Sequence, residues 1–423
     1  MSQDQRQYEI VVFGATGYTG KYTAEHLTTY APTDLKWAIA GRSEAKLKAV
    51  ADEIHSLNPD RLAPGIEIAE LNKQDLVKLA KTTKVLISTV GPYHKYGAFA
   101  FEACAENGTH YVDCTGEVPW VYDMVEKYDA LAKKTGAIMI PQNGMESAPS
   151  DMMCWMLVNH IRQTLSVGTA EILDSVYSLK GAPSGGTLDT LLTLFDTYSL
   201  SHFAKSMNPW SLSAVAPPQE TAGKPLLEKI TGIRTDSDLG ILTDSLQGPS
   251  DIVIVNRSWS LYDGGKFYGP KFKISIYTKV SSNLQAFLMH LALTLGTATL
   301  LLPPVRWLLK KFVYQPGQGP TKEQTTNDHC EWRAVANADV TDPNDPKRAS
   351  GTMAYHGSMY ALTAATLSEA AITLARDKTF AHELGGGVLT PATLGAPPCP
   401  ESGVVVSWWL TAIPARGRDQ QQQ

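Results

Sequence analysis

Short apolar runs alternate with stretches of helical spacing over the first 150 residues. The apolar runs predict strands at 8–13, 36–40, 66–71, 85–90, 110–113 and 137–140. Between them, apolar residues recur three or four positions apart and predict helices at 43–57, 75–81, 98–107 and 119–134. Regular alternation of strand and helix is typical of a parallel, doubly wound sheet, so we predict an α/β fold.

The pattern changes from residue 151 onward, where helical spacing over 151–165 precedes longer apolar runs. These runs predict strands at 171–180, 251–260 and 271–279. Asp263-Gly264-Gly265 lies between the last two runs and predicts a hairpin turn. Near the end of the chain, the spacing predicts a helix over 360–376 and a short strand over 404–410.

Residues 286–302 form an apolar stretch of 17 residues without a charged side chain. A membrane-spanning helix needs about 20 apolar residues, so the stretch is at the short limit. Its polar side chains would share one helix face: His290, Thr294 and Thr297. The cations that follow it are Arg306, Lys310 and Lys311. Three interpretations stay open: a buried core or oligomer helix, a helix lying on a lipid surface, and a span.

Charge and cysteine content exclude several classes of protein. The formal net charge is −5, so no basic field is present to hold a nucleic acid. The 5 cysteines form no CxxC pair and the first residues carry no apolar run, which favours a reducing, cytoplasmic location. The sequence has no GxSxG or HExxH motif, so we expect neither a hydrolase triad nor a metal site.

A glycine-rich run directly follows the first predicted strand and opens the first helix. It consists of Gly14, Ala15, Thr16, Gly17, Tyr18, Thr19 and Gly20. Glycine lets the backbone turn tightly and approach a pyrophosphate, whose charge is stabilised at a helix N-terminus. Because strand, glycines and helix occur in this order, the run predicts a dinucleotide site. A merely tight turn is the alternative.

The residues after the second predicted strand indicate which dinucleotide binds. An NAD site normally places an acid there for the ribose 2′-OH, whereas this chain has Gly41-Arg42-Ser43. The planar guanidinium of Arg42 suits the 2′-phosphate of NADP, with the Ser43 hydroxyl beside it. We therefore predict NADPH as the cofactor. The alternative is that Ser43 caps a helix and Arg42 is solvated.

Two loops at the carboxyl edge of the predicted sheet hold the candidates for catalysis, because ligands bind at that edge in such folds. The further cofactor contacts expected there are Thr89, Val90, Gly91 and Pro92. The candidate proton donors that follow them are Tyr93, His94 and Tyr96. Asp113 and Glu117 follow the fifth predicted strand, where a carboxylate that orients substrate or holds a catalytic water would lie. Loop packing and capping are the alternative roles.

Ordered blocks along nearly the whole chain resemble the saccharopine-dehydrogenase-like oxidoreductases, including the trans-acting enoyl reductases. The matching blocks are 14–20, 40–43, 89–93, 111–117, 143–151, 181–187 and 386–392. The fifth block reads NGMESAPSD, similar to the family's GFDSVPSD, and departs from it at Asn143 and Glu146. The resemblance implies an NADPH-binding Rossmann domain, an inserted mixed α/β domain and a C-terminal helix that returns to the first domain.

Combined with the pattern, the resemblance predicts three regions. Residues 1–150 form the Rossmann-type, doubly wound parallel sheet, and 151–355 form the inserted mixed α/β substrate and oligomerisation domain with the apolar helix 286–302. Residues 356–423 contribute the helix and strand that return to the Rossmann domain. The resemblance includes relatives that associate with lipid surfaces. It therefore also predicts that this helix contacts a membrane or lipid droplet peripherally.

The residues of the inserted domain favour an apolar substrate. A saccharopine-type imine substrate carries several carboxylates and needs clustered arginines, but residues 152–302 contain only Arg162, Arg234 and Arg257, far apart in sequence. We therefore expect NADPH-dependent reduction of an activated C=C bond in an apolar acyl or polyketide-type chain, in lipid or secondary metabolism. The chain would be a free small molecule or carried on a synthase, and the enzyme a monomer or homodimer.

Specific roles in this reaction are expected for named residues. The expected proton donors are Tyr93, Tyr96 or a water held by Glu117. Asp113 would orient the substrate, and backbone N–H groups of glycines would stabilise its carbonyl oxygen. These glycines are Gly144, Gly185 and Gly186. The alternatives are a saccharopine-type imine reductase and a lipid-surface scaffold with a vestigial dinucleotide site.

Overall fold

A computed structural model describes residues 5–218, 223–311, 318–340 and 347–395, and the backbone of 407–413. The strands in these ranges are β1 (Tyr8–Phe13), β2 (Trp37–Gly41), β3 (Gly65–Ile68), β4 (Thr83–Ser88), β5 (His110–Asp113), β6 (Ile138–Ile140), β7 (Thr169–Lys180), β8 (Arg234–Asp236), β9 (Gly240–Asp244), β10 (Lys273–Lys279), β11 (His329–Ala338), β12 (Arg348–His356), β13 (Gly387–Val388) and β14 (Ser407–Ile413). The helices are α1 (Tyr18–Tyr30), α2 (Glu44–His55), α3 (Lys73–Thr82), α4 (Tyr93–Tyr96), α5 (Ala98–Asn107), α6 (Val118–Thr135), α7 (Ala148–Leu165), α8 (Gly185–Thr197), α9 (Leu200–Ser206), α10 (Leu226–Thr231), α11 (Gly248–Leu261), α12 (Asn283–Leu300), α13 (Pro303–Leu309), α14 (Met359–Arg376) and α15 (Phe380–Glu383).

The first sheet is parallel, with strand order β13-β6-β5-β4-β1-β2-β3. Its central strands contain continuous apolar runs, such as residues 10–13 of β1, because helices cover both faces. In β1, Ile10 and Val12 belong to the core on one face, while Val11 belongs to the core on the other, and all three are fully buried. The predicted Rossmann-type, doubly wound sheet is confirmed.

The second sheet is mixed, with strand order β14-β12-β11-β7-β10-β9-β8. Only the β7–β10 pair among these described strands is parallel, with Ile274 opposite Ile172. Its core includes Trp332 of β11 and Leu157 of α7, both fully buried. This mixed sheet, built from residues 169–356 together with β14, agrees with the α/β fold expected for the inserted domain.

The C-terminal region divides between the two sheets. Helix α14 packs against α1, β4 and β5, and β13 pairs in parallel with β6, with Gly387 opposite Ile138. Strand β14 instead pairs with β12 of the second sheet, with Leu410 opposite Gly351. The terminal strand therefore does not return to the Rossmann sheet as expected. The rest of the predicted strand, 404–406, lies outside the described residues.

The strand predicted over 251–260 is wrong, because these residues lie within helix α11. Nearly every side chain of this helix is buried, including Val253, Val255 and Trp259. A helix that is buried on all sides has no amphipathic period, so its sequence resembles that of a buried strand. Asp263-Gly264-Gly265 consequently forms a short 3₁₀ turn after α11 and not a hairpin.

The apolar stretch 286–302 forms most of α12 and ends at a bend of 103° into α13. Ala286 is the only buried residue of α12, which contradicts a core helix inside this chain. Leu284, Leu295 and Trp307 are 68%, 55% and 62% exposed. No single helix among the described residues is long and apolar enough to cross a membrane, although α12 and α13 pass that test together as a bent pair.

Candidate active site

The turn between β1 and α1 leaves no room for side chains at two of its glycines. A Cβ on Gly14, whose φ is +92°, would lie 2.7 Å from Val90 Cγ2, and one on Gly20 would lie 2.2 Å from the Gly14 carbonyl oxygen. The Gly17 N–H donates to the Gly14 carbonyl at 2.9 Å and closes the turn. No side chain caps the N-terminus of α1, which leaves its N–H groups for an anion. This cradle fits a dinucleotide pyrophosphate.

The remaining residues of the turn pack or border solvent. Ala15 is fully buried, and Thr16 and Thr19 are partly exposed. The Tyr18 ring meets the Tyr360 ring of α14 edge-on at 4.8 Å, and its hydroxyl donates to the Pro320 carbonyl at 2.6 Å. Tyr18 therefore joins the cofactor turn to α14 and to the segment around Pro320.

Arg42 and Ser43 follow β2 directly, at the same edge of the sheet. The Ser43 hydroxyl accepts the Lys46 N–H at 3.4 Å and caps α2, which was the alternative role considered for it. Arg42 is exposed and forms no hydrogen bond or ion pair with other described residues. The guanidinium is therefore unengaged by these residues, as the predicted contact with the 2′-phosphate of NADP requires.

Arg42→Ala is expected to weaken NADPH binding by about 1.5–3 kcal/mol, because it removes hydrogen bonds to a charged group. NADH binding should stay nearly unchanged, since NADH lacks the 2′-phosphate. Titration of both nucleotides checks this, with Lys48→Ala, an exposed cation on α2, as the control. An equal loss of affinity for both nucleotides would contradict the role of Arg42.

The loop after β4 borders the glycine turn. The backbone N–H and the hydroxyl of Thr89 both donate to the Phe13 carbonyl, at 2.9 and 3.0 Å, and tie the end of β4 to β1. Val90 packs against Gly14. Gly91 and Pro92 continue the chain to α4 through a cis peptide bond. The structure thus brings the residues expected at the cofactor together at one edge.

Tyr93 and Tyr96, at the two ends of α4, lie in opposite environments. The buried Tyr93 hydroxyl donates to the Ser88 carbonyl at 2.8 Å and lies 3.4 Å from Cys114 Sγ. Burial raises the pKa of Tyr93 well above its usual value. This placement argues against Tyr93 as the proton donor, because its proton is held inside the Rossmann domain. Tyr96 is 45% exposed, and its hydroxyl forms no hydrogen bond with the described residues.

Glu117 forms the centre of a buried polar cluster between α4 and α8. Its Oε1 accepts the Tyr93 N–H and its Oε2 accepts the His94 N–H, both at 2.7 Å. Oε2 also lies 2.6 Å from His94 Nδ1, and the other ring nitrogen lies 3.2 Å from Thr193 Oγ1 of α8. Thr190 of α8 donates to Oε1 at 3.5 Å. Glu117 therefore holds α4 and α8 together through protein contacts, which argues against its holding a catalytic water.

Both carboxylate oxygens of Asp113, at the end of β5, also accept hydrogen bonds from the protein. Its Oδ1 accepts the N–H groups of Thr115 and Gln142, both at 3.0 Å, and its Oδ2 accepts the Tyr111 hydroxyl at 2.7 Å. The side chain is fully buried, and burial raises the pKa of Asp113 to about 7. These contacts argue against a substrate-orienting role, because both oxygens already accept hydrogen bonds within the protein.

The three glycines expected at the substrate carbonyl differ in their surroundings. The Gly185 N–H donates to the Gln318 carbonyl at 2.9 Å, so it is not free for a substrate. A Cβ on Gly144 would lie 2.8 Å from Cys114 Cβ, so that side of the glycine faces protein. Gly186 lies in the first turn of α8, and its N–H forms no hydrogen bond with the described residues. Gly186 therefore remains the open position of the three.

Glu146 is the site residue that sequence reasoning noted only as a departure from the family pattern. It lies between β6 and α7, and its carboxylate is so close to Gly116 that a Cβ there would be 2.3 Å from Oε2. It forms no hydrogen bond through its side chain within the described chain. Burial and the neighbouring Glu117 carboxylate raise the pKa of Glu146. In the sequence, the signal that could have identified Glu146 was its position after a strand end, which it shares with Asp113.

Comparisons with known proteins agree with this arrangement. Residues 10–140 match the family model of the saccharopine dehydrogenase NADP-binding domain. With the glycine cradle, this match defines the protein as an NADP-dependent oxidoreductase with NADPH as its cofactor, as predicted.

Two curated relatives match along nearly their whole length. The trans-acting enoyl reductase of Mycobacterium ulcerans (strain Agy99) is 31% identical over 96% of this chain and 99% of its own. The trans-acting enoyl reductase of Mycobacterium tuberculosis (strain ATCC 25618 / H37Rv) is 30% identical over 93% of this chain and 94% of its own. The chain belongs to the trans-acting enoyl reductase family, which confirms the resemblance found in the sequence.

A solved structure shares the fold. Apo histidine-tagged saccharopine dehydrogenase (L-Glu forming) from Saccharomyces cerevisiae has a TM-score of 0.55 and covers 96% of this chain and 100% of that chain. At 12% sequence identity the likeness concerns the fold alone.

Proposed function

We propose that the protein is an NADPH-dependent reductase of an activated C=C bond in an apolar acyl or polyketide-type substrate. The family membership supports enoyl reduction. The choice of an apolar substrate rests on the arginines of residues 152–302, none of which is free to bind a carboxylate. Arg162 donates to two backbone carbonyls, Arg234 pairs with Glu228 at 3.4 Å, and the buried Arg257 donates to the Val388 carbonyl at 2.9 Å. All three arginines of residues 152–302 are therefore engaged in protein contacts, and none is left for a substrate with several carboxylates.

In this proposal the residues of the candidate active site have separate roles. Gly14, Gly17 and Gly20 would hold the pyrophosphate of NADPH and Arg42 its 2′-phosphate; when bound, the cofactor supplies the hydride. Glu117 and His94 keep α4 against α8 and so help exclude water. We assign the substrate carbonyl oxygen to the open Gly186 N–H at the start of α8, where negative charge on that oxygen is stabilised.

NADPH deuterated at C4, offered with enones, enoyl thioesters and cyclic imines, tests the reaction. We expect deuterium at the β-carbon of an enone or enoyl thioester. Deuterium only at an imine carbon would move the assignment to the saccharopine-type alternative. NADPH binding without turnover of any acceptor would instead favour the scaffold with a vestigial site. Arg42→Ala is the matched control, since it should lower turnover with NADPH and spare turnover with NADH.

We also propose that the substrate reaches the cleft bound to a carrier of a synthase. A long apolar chain is poorly hydrated, so a carrier would keep it available in water. Turnover of one enoyl chain as a carrier-protein thioester should exceed its turnover as a small thioester by at least tenfold in kcat/KM. Equal values for the two forms would exclude a role for the carrier.

We further propose that α12 and α13 lie on a membrane or lipid-droplet surface while the rest of the protein stays in the cytoplasm. Exposed leucines run along α12, with Leu288 and Leu295 54% and 55% exposed, and Trp307 of α13 adds an aromatic ring. Lys311 lies 3.6 Å over that ring, where its charge can reach lipid headgroups.

In flotation with anionic vesicles, the protein should move with the lipid and be released by carbonate. The double variant Leu288→Glu/Leu295→Glu should stay at the bottom of the gradient, whereas Leu57→Glu, a change at an exposed leucine after α2, should float normally. Retention after carbonate would indicate a span. A concentration-dependent dimer that the double variant abolishes, without flotation of the wild type, would assign the surface to a homodimer.

A further inference from the structure

Glu117 and Glu146 are neighbouring carboxylates with opposite surroundings. Glu117 accepts two backbone N–H groups at 2.7 Å and faces His94 at 2.6 Å, so its charged form is well solvated by the protein. Glu146 has no hydrogen-bond donor on its carboxylate within the described part of the chain, and the residue is partly exposed. The hydrogen-bond partners of the two carboxylates therefore differ, as they do in sites that hold one charged and one proton-donating carboxyl group.

The backbone fixes Glu146 at the ligand edge of the first sheet. It follows β6, beside the loop that follows β5, and only a glycine at 116 leaves space for its carboxylate. Gln247 donates to the Glu146 carbonyl at 3.2 Å, and the adjacent Ser147 donates to Asp251 at 3.1 Å. The loop is therefore anchored to α11, while the carboxyl group itself stays unengaged.

The groups around Glu146 keep its proton in place. Glu117 from the loop before α6, Asp251 from α11 and Cys114 at the end of β5 are its titratable neighbours, and no cation pairs with it among the described residues. Burial and Glu117 raise the pKa of Glu146, so it stays protonated to higher pH than an ordinary glutamate.

We propose that Glu146 is the proton donor that completes the reduction, giving its carboxyl proton to the carbon next to the substrate carbonyl. The inference rests on the C=C reduction proposed above. Hydride adds to the β-carbon, the C=C π electrons form the new C–H bond at the α-carbon, and the O–H bond of Glu146 breaks. Glu146 is left as a carboxylate and regains a proton from water, which can reach this partly exposed residue.

Kinetics of Glu146→Gln test the assignment. We expect kcat to fall by about 10²–10⁴-fold with an unchanged Kd for NADPH, and the decline of wild-type kcat at high pH to disappear. Glu146→Asp should restore part of kcat together with that decline. Glu106→Gln, at an exposed glutamate of α5 that pairs with Lys73, is the control. Unchanged kcat and pH profile in Glu146→Gln, or loss of the high-pH decline in Tyr96→Phe instead, would overturn the proposal.

A substrate-free measurement separates this proposal from the proposed function. Infrared spectra of wild type minus Glu146→Gln, with NADP⁺ bound, report the C=O stretch of a protonated carboxyl at position 146. We expect that band at neutral pH and its loss at higher pH. A carboxyl already ionised at neutral pH would overturn the donor role whatever the substrate. Wild type that shows the band but reduces no enone or enoyl thioester would overturn the C=C reduction and leave a protonated Glu146 as a finding.

Discussion

Replacing Glu117 with alanine is expected to lower the free energy of unfolding by about 3–5 kcal/mol, the cost of removing one member of a buried charged cluster. The carboxylate is 1% exposed and accepts the backbone N–H groups of Tyr93 and His94, besides facing the His94 ring. Alanine would leave those donors buried without a partner, because no other acceptor replaces the carboxylate. Urea unfolding at neutral pH measures the change.

The control for this prediction is Glu106→Ala, which removes an exposed glutamate of α5. Surface substitutions of this kind usually change stability by less than about 0.5 kcal/mol. Because Glu117 also contacts α8 through Thr190, Glu117→Ala should in addition speed proteolytic cleavage around α8. A loss of stability no larger than that of the control would show that the cluster does not hold α4 and α8 together.

The Rossmann half could be predicted because its signals are local. The glycine turn at 14–20 and the apolar strands around it are set by neighbouring residues in the sequence, and β1 and β5 occur at their predicted bounds. Arg42 was found in the same way, by its position directly after β2. Local spacing decides such features because glycine turns and strand ends need particular residues at particular offsets.

The polar contacts of the site could not be predicted, because they join residues far apart in the chain. His94 meets Thr193, 99 positions away, and Glu117 meets Thr190 across 73 positions. Asp113 follows a strand end, as a substrate-binding carboxylate would, yet folding turns it toward backbone N–H groups of its own loops. Helix α11 was missed for a related reason, since burial on all sides erased its period.

Asp174→Asn is expected to stabilise the protein at pH 8 by about 3 kcal/mol and to have no such effect near pH 4. Asp174 of β7 is fully buried, and the polar groups nearest its carboxylate, Ser150 and the Ser175 backbone N–H, form no well-aligned hydrogen bond with it. Burial raises the pKa of Asp174 from 3.8 to about 6, with Asp251 and Cys154 as the titratable groups that face it. The folded state therefore binds this proton more tightly than the unfolded state does.

The direction in which stability changes with pH follows from that difference in proton binding. Below the unfolded pKa of 3.8 the group is neutral in both states and costs nothing; stability then falls as the pH rises, and levels off above about 6. Each pH unit between the two pKa values costs about 1.4 kcal/mol, which gives the expected difference at pH 8. Urea unfolding of wild type and Asp174→Asn at both pH values measures it, with Asp60→Asn at an exposed position as the control. A stability difference that stays constant between pH 4 and pH 8 would mean that Asp174 does not titrate in this range and that its burial acts through packing alone.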